Sequence, residues 1–287
     1  MIVKSPITRI PGFLLPAILT ALCILVATPG AQAEVPPSDR FSLMESADKA
    51  ISDGKWAEAE DALRQALRLD PSDPTNVLLL SNLGMVQYYD GRTDDAINTL
   101  SDAHRIAPSS VTVLLNRARV LTSAGLAEQA LDDYSSVIRL DSTLTEPRFY
   151  RAMLRLSLGM DKMAQADIDT LVLKAPADRL TNIALATVEM RNSDFSSAII
   201  HLSTVLKDNP DATHYGSRAL CYLMTGDLAA ASDDIASGLE LDPTDGELYL
   251  YRALLNKMRY RPDDAKADGE KAIKMGVDSR KVNTLLQ

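Results

Sequence analysis

The sequence predicts an all-α protein, a solenoid of about seven helical hairpins, from three recurrent residues. An alanine returns about every 34 residues, at Ala59, Ala96, Ala130, Ala164, Ala198, Ala231 and Ala265. A small residue lies twelve positions before each alanine, at Ala47, Gly84, Ala118, Ala152, Ala186, Ala219 and Ala253. A proline lies twelve positions after five of them, at Pro71, Pro108, Pro176, Pro210 and Pro243. A period of this length indicates pairs of helices that stack along the chain.

Each repeat carries the signals that end two helices. Glycine breaks the first helix in five repeats, at Gly54, Gly91, Gly125, Gly159 and Gly226, because it adopts the left-handed conformation without strain. Pairs such as Asp70-Pro71 end the second helix, since the residue before proline is disfavoured in the α region. These signals place the repeats at 40–73, 77–110, 111–144, 145–178, 179–211, 212–245 and 246–279, with a tail or partial cap at 280–287.

Composition excludes several classes of protein. The 287 residues include 30 Lys and Arg against 39 Asp and Glu, a net charge of −9. Nucleic-acid binding draws its affinity from basic residues, so this acidic balance argues against it. Two cysteines and three histidines are too few for a disulfide framework or a zinc cluster.

The N-terminal segment 1–33 is typical of a secretory signal peptide. Lys4 and Arg9 precede an uncharged apolar run from Phe13 to Ala27, and Ala31-Gln32-Ala33 matches a signal peptidase site. The alternative is a retained anchor, but the apolar run is only about 15 residues and a membrane span needs about 20. We therefore expect cleavage after Ala33, a linker at 34–39, and an exported protein. A bacterial periplasm is the expected compartment, with secretion as the alternative.

The repeats resemble the tetratricopeptide repeat, a helix–turn–helix unit of the same period. The best match runs from Leu83-Gly84 through Gly91 and Ala96 to Pro108. Two departures fall in the last repeat, where Tyr260 replaces the glycine break and Gly269 occupies a position for a bulky side chain. The resemblance implies a right-handed solenoid that binds other proteins and needs no cofactor.

Arginine and aspartate occur together within the repeats. Four repeats carry both, as Arg117 with Asp133, Arg151 with Asp167, Arg218 with Asp234, and Arg252 with Asp268. The other three repeats carry neither; His201, for example, takes the aspartate position. We infer an ion pair inside each of the four hairpins, in which the guanidinium fork holds the carboxylate of the facing helix.

The resemblance also implies a concave groove lined by the first helix of each hairpin. The candidate partner-binding residues are Met85, Tyr88, Tyr89, Leu115, Arg119, Phe149, Met153, Leu156, Met190, Arg191, Leu220 and Met258. A groove rich in methionine, leucine and aromatic residues suits an apolar peptide or helix. The alternative is that many of these side chains pack against neighbouring hairpins. Family members that bind a terminal carboxylate use basic groove residues, whereas Met44, Ser81 and Leu115 stand at those positions here.

No catalytic arrangement is evident in the sequence. His104, His201 and His214 form no pair at helical spacing, and there is no glycine-rich phosphate loop. Cys221 lies within a first helix and is expected to be a buried thiol. We therefore expect an adaptor that binds a protein or peptide and not an enzyme. The alternatives are a carrier of a small or lipid-like ligand and a self-assembling structural protein, so a homo-oligomer remains open.

Overall fold

The computed structural model describes residues 37–286, and within that range every regular element is an α-helix. The helices are α1 (Pro37–Ser52), α2 (Trp56–Leu69), α3 (Asn76–Tyr89), α4 (Thr93–Ile106), α5 (Val111–Ser123), α6 (Ala127–Leu140), α7 (Glu146–Ser157), α8 (Asp161–Lys174), α9 (Arg179–Arg191), α10 (Phe195–Asp208), α11 (Ala212–Thr225), α12 (Leu228–Leu241), α13 (Gly246–Met258), α14 (Pro262–Lys274) and α15 (Ser279–Leu286). The expected solenoid of helical hairpins is confirmed. The predicted signal peptide and residues 34–36 lie outside the described residues.

The chain divides into two compact units, whose described parts are residues 37–164 and 165–286. In the N-terminal unit, α1 packs on α2, α3 on α4 and α5 on α6, and each hairpin packs on the next. In the C-terminal unit the same relation joins α9 with α10, α11 with α12, and α13 with α14. The division between the units falls within α8.

Small residues allow the two helices of a hairpin to approach closely. Ala59, Ala130 and Ala198 are fully buried. A Cβ atom on Gly84 would lie 2.6 Å from Cγ of Leu100, so only glycine fits there without displacing that side chain. The recurrent small residues are therefore required by helix packing.

The two ends of the chain differ from the internal repeats. Helix α1 begins at Pro37, within the segment predicted as a linker; proline is accepted there because the first turn of a helix needs no backbone N–H donor. At the other end, Val282 and Leu286 of α15 approach α14 at Gly269, where a Cβ atom would lie 2.8 Å from Cδ1 of Leu286. Gly269 therefore makes room for α15, which covers part of the last hairpin.

Candidate functional site

The first helices of the N-terminal unit lie side by side in the same register. Near their starts, Arg40 of α1 donates to Oδ1 of Asn76 at 2.8 Å. At the other end of α3, Tyr89 stacks on the ring of Trp56, the first residue of α2, with centroids 5.4 Å apart. Ala47 of α1 belongs to the same buried cluster as Leu83 of α3. Residues at equivalent positions of α1 and α3 therefore line one surface.

An aromatic cluster lies at the ends of these helices. Tyr88 and Tyr89 have ring centroids 5.5 Å apart, and Trp56 stacks on the second of them. Burial raises the pKa of Tyr89, although the positive charge of Arg119 opposes the shift. The cluster offers half-buried rings of the kind that bind apolar and cationic groups.

Arg119 is held within the protein. It forms a salt bridge with Glu146 of the next hairpin and donates to Oδ1 of Asn116 at 3.3 Å. Its guanidinium lies 5.6 Å from the centroid of the Tyr150 ring. Because its charge is already compensated, Arg119 positions its neighbours and does not offer a free cation to a ligand.

The predicted groove residues fall into three groups by burial. The half-buried members are Met85, Tyr88, Tyr89, Leu115, Met190 and Leu220, and the exposed members are Arg191 and Met258. The buried members are Arg119, Phe149, Met153 and Leu156. The four buried residues are packed inside the protein and are not open to a partner. This agrees, for part of the set, with the alternative that groove residues pack within the protein.

Sequence reasoning missed the first hairpin as part of this surface. Phe41 and Met44 of α1 are 62% and 40% exposed, and Leu78 of α3 is 37% exposed. Phe41 and Met44 share a face of α1 with Glu45 and Asp48, which flank Ala47 as Asn82 and Met85 flank Gly84. Counting positions from the small residue of each first helix is the signal that could have placed Phe41 and Met44 on this surface.

In the C-terminal unit, the corresponding surface is rich in methionine. Met224 of α11 and Met258 of α13 are 55% and 38% exposed. Leu220 and Leu254 beside them pack partly into the core formed by α11, α12 and α13. This unit therefore presents flexible apolar side chains in place of the rings of the N-terminal unit.

Three of the four predicted arginine and aspartate pairs adopt the forked geometry inferred from the sequence. Arg117 donates through Nε and Nη2 to Asp133 at 2.7 and 2.6 Å. Arg218 binds Asp234, and Arg252 binds Asp268, in the same two-bonded way. The hydrogen bonds that Arg218 donates to Asp234 raise the pKa of Arg218. The pair of Arg151 and Asp167 stays a prediction, since its members belong to different units.

The hairpin of α9 and α10 uses a different polar group. Nδ1 of His201 lies 2.8 Å from Oδ1 of Asn182, whose amide nitrogen donates to the carbonyl of Asp178 at 2.9 Å. The Asn182 oxygen must therefore accept, so Nδ1 of His201 carries a proton. Nε2 of the same ring lies 3.4 Å from Oε1 of Glu189. Burial raises the pKa of Glu189, with Asp194 acting in the same direction.

The remaining candidate groups show no catalytic arrangement. Cys221 is fully buried, and burial raises the pKa of its thiol to about 12. Across residues 37–286, no cluster of three or more His, Cys, Asp and Glu side chains is placed to hold a metal ion. None of the helices in that range is both long and apolar enough to cross a membrane. A surface cavity of about 370 Å³ lies beside Lys257, Lys266 and Leu286.

Comparison with known proteins agrees with this architecture. The sequence profile of the tetratricopeptide repeat matches residues 81–145 and 183–246. The chain is 23% identical to the human mitochondrial import receptor subunit TOM34 over 252 residues, which is 72% of this chain and 82% of the relative. It is 28% identical to human DnaJ homolog subfamily C member 7 over 135 residues, covering 43% of this chain and 27% of the relative.

A solved structure gives the same result. A tetratricopeptide repeat protein from Parabacteroides merdae superposes with a TM-score of 0.67 and 26% sequence identity, covering 87% of this chain and 98% of that protein. The helical hairpins, their period and their small residues define a helical repeat protein. This chain therefore matches the tetratricopeptide repeat family over residues 81–145 and 183–246 and shares its fold with a solved protein of that family.

Proposed function

We propose that this protein is an exported, non-catalytic adaptor that binds protein partners through the exposed faces of its first helices. The observation that carries the proposal is the set of apolar side chains that these helices leave open in both units. Phe41 and Met44 are exposed on α1, and Met224 is exposed on α11. Exposed apolar side chains grouped on one helix face favour binding of another protein.

The family relationship supports binding over chemistry. TOM34, a relative over most of this chain, is named as a receptor subunit of mitochondrial import. Binding of protein partners is therefore the function best supported by both the relatives and the surface. The partner of this chain is a separate question, because binding specificity depends on the side chains of each surface.

Affinity capture from the native cell tests the proposal. The full-length chain carries a C-terminal tag and is crosslinked before purification, and the captured proteins are identified by mass spectrometry. The test variant combines Met44→Asp with Met224→Asp, since both side chains are exposed on first helices. We expect at least one protein to be captured by the wild type and lost by this variant.

A matched variant on the second helices provides the control. Ile106 of α4 and Ile200 of α10 are 59% and 66% exposed. The double change Ile106→Asp with Ile200→Asp adds the same charge to the second helices, so it should leave capture intact. If both variants lose the same partner, or neither loses any, the first-helix faces are not the binding surface.

Export rests on the signal-like segment at 1–33, and its test is separate. We expect the mature protein to begin at Glu34 and to fractionate with periplasmic markers. N-terminal sequencing of the protein purified from its native cell measures the cleavage site directly. Recovery of an intact N-terminus in a cytoplasmic fraction would contradict export and leave the binding proposal in place.

A further inference from the structure

One part of the first-helix surface combines open apolar side chains with uncompensated negative charge. We call it the N-terminal face, and it consists of Phe41, Met44, Glu45, Asp48, Leu78, Met85, Tyr88 and Tyr89. Its apolar members lie on α1 and α3, and Arg40 of α1 joins the two helices by donating to Oδ1 of Asn76 on α3. Measured from the small residue of each helix, all eight positions fall on one side of the helix.

The carboxylates of this face have no cationic partner among the described residues. Glu45 and Asp48 lie one turn apart on α1, and neither forms a salt bridge within 37–286. Burial and the charge of Glu45 raise the pKa of Asp48. A positive charge placed between the two carboxylates would relieve their repulsion.

The surroundings exclude an anionic ligand at the same place. Arg119, which faces the same way on α5, is bound to Glu146 and lies over the Tyr150 ring. A terminal carboxylate would need basic residues at the positions where this chain has Met44, Ser81 and Leu115. The charges that this face presents to a ligand are therefore the negative charges of Glu45 and Asp48.

We propose that the N-terminal face binds a segment of a partner protein in which lysine or arginine is flanked by apolar side chains. The cation lies against Glu45 and Asp48, and the apolar side chains contact Phe41, Met44 and the Tyr88 ring. Aromatic rings next to carboxylates favour a cation through both the ring quadrupole and the charge. This inference rests on the proposed function and specifies the chemistry of the partner.

Three synthetic peptides test the charge preference on the full-length protein. The probes are fluorescein-labelled SLLKSLLKSL, its counterpart SLLESLLESL, and the neutral SLLQSLLQSL, each measured by fluorescence anisotropy. We expect the lysine peptide to bind about tenfold or more tightly than the glutamate peptide. The preference should shrink as salt concentration rises, because surface charge interactions are screened.

Two variants locate the preference on the N-terminal face. Glu45→Gln with Asp48→Asn should reduce the preference for lysine about tenfold, to near parity. The control is Glu128→Gln with Asp132→Asn, which removes the same charge from exposed positions of α6 and should keep the preference. Phe41→Ser with Met44→Ser should weaken binding of both the lysine and the neutral peptide, since the side chains removed are exposed and apolar.

The outcomes separate this inference from the proposed function. Equal affinity for the lysine and glutamate peptides, absence of binding to any of the three, or an equal loss in the α6 control would overturn the inference. If the variant Glu45→Gln with Asp48→Asn still captures the native partner that Met44→Asp with Met224→Asp loses, the adaptor function stands and the charge preference is wrong.

Discussion

The hairpins of α5 with α6 and of α9 with α10 share one backbone plan but hold their interiors by different polar groups. In the first hairpin, Arg117 donates two hydrogen bonds of 2.7 and 2.6 Å to Asp133. In the second, His201 meets Asn182 and Glu189. The first group is an ion pair closed by two hydrogen bonds, whereas the second includes the carboxyl group of Glu189, whose pKa is raised by burial. One repeat architecture therefore accommodates two kinds of polar contact between its helices.

The largest expected effect comes from breaking the arginine fork. Asp133→Ala should lower the free energy of unfolding by about 3–5 kcal/mol, because it leaves the charge of Arg117 largely buried without its partner. The side chains of Arg117 and Asp133 are 16% and 6% exposed. Chemical denaturation measures the loss, and Asp132→Ala on the exposed side of α6 is the control. A loss below about 0.5 kcal/mol would show that the pair behaves as a surface contact.

Enlarging the small residue should affect both hairpins alike. Ala130 of α6 and Ala198 of α10 are fully buried. Ala130→Leu and Ala198→Leu should each cost about 1–3 kcal/mol of unfolding free energy through overpacking. Thermal and chemical unfolding of the two variants provide the measurement. A clearly smaller loss in Ala198→Leu would indicate that the hairpin with histidine is also more loosely packed.

The turns of the two hairpins differ as well. Gly125 has a φ of 76° without strain, but Ser193 at the equivalent turn has a φ of 62°. Ser193→Gly should therefore stabilise the protein by about 1 kcal/mol, since glycine alone adopts this conformation freely. The reverse change, Gly125→Ser, should destabilise by a similar amount. Unchanged melting temperatures in both variants would contradict the assignment of strain to Ser193.

The smallest expected effect is a dependence of stability on pH, since the pair of His201 and Glu189 is partly exposed. Because the folded pKa of Glu189 is raised, the folded state holds its proton more tightly than the unfolded chain. The contribution of the protonated Glu189 carboxyl to folding stability is complete below its pKa in the unfolded chain. This contribution is lost as pH rises through its pKa in the folded protein. Comparing wild type with Glu189→Gln across this range should give a difference that declines with pH. A difference in stability that grows with pH would contradict a raised pKa for Glu189 in the folded protein.

The repeat architecture could be predicted because it depends on local and periodic signals. Small residues, glycine turns and Asp-Pro pairs recur in the sequence, and each has a steric reason to occur where it does. The ion pairs were also visible, since both partners of each pair lie at fixed positions within one repeat. Helix α15 was harder to predict, because its packing depends on Gly269, where the missing side chain leaves room for Leu286.

The candidate surface was only partly predictable for a related reason. Arg119 binds Glu146, which belongs to the next hairpin and follows no rule within a single repeat. The same holds for Trp56, whose contact with Tyr89 joins two repeats. Phe149 and Met153 are also buried, although their positions in the repeat predicted an open groove. Contacts between repeats decide which groove residues remain open, and a single sequence does not display them.

Methyl resonances of methionine give the most direct test of where partners bind. Met44 and Met85 lie on the N-terminal face, and Met163 is 52% exposed on the second helix α8. The full-length protein, labelled with ¹³C at the methionine methyl groups, is titrated with the peptide SLLKSLLKSL. The account predicts shifts at Met44 and Met85 with Met163 unchanged. Shifts at Met163 while Met44 and Met85 stay fixed would contradict it.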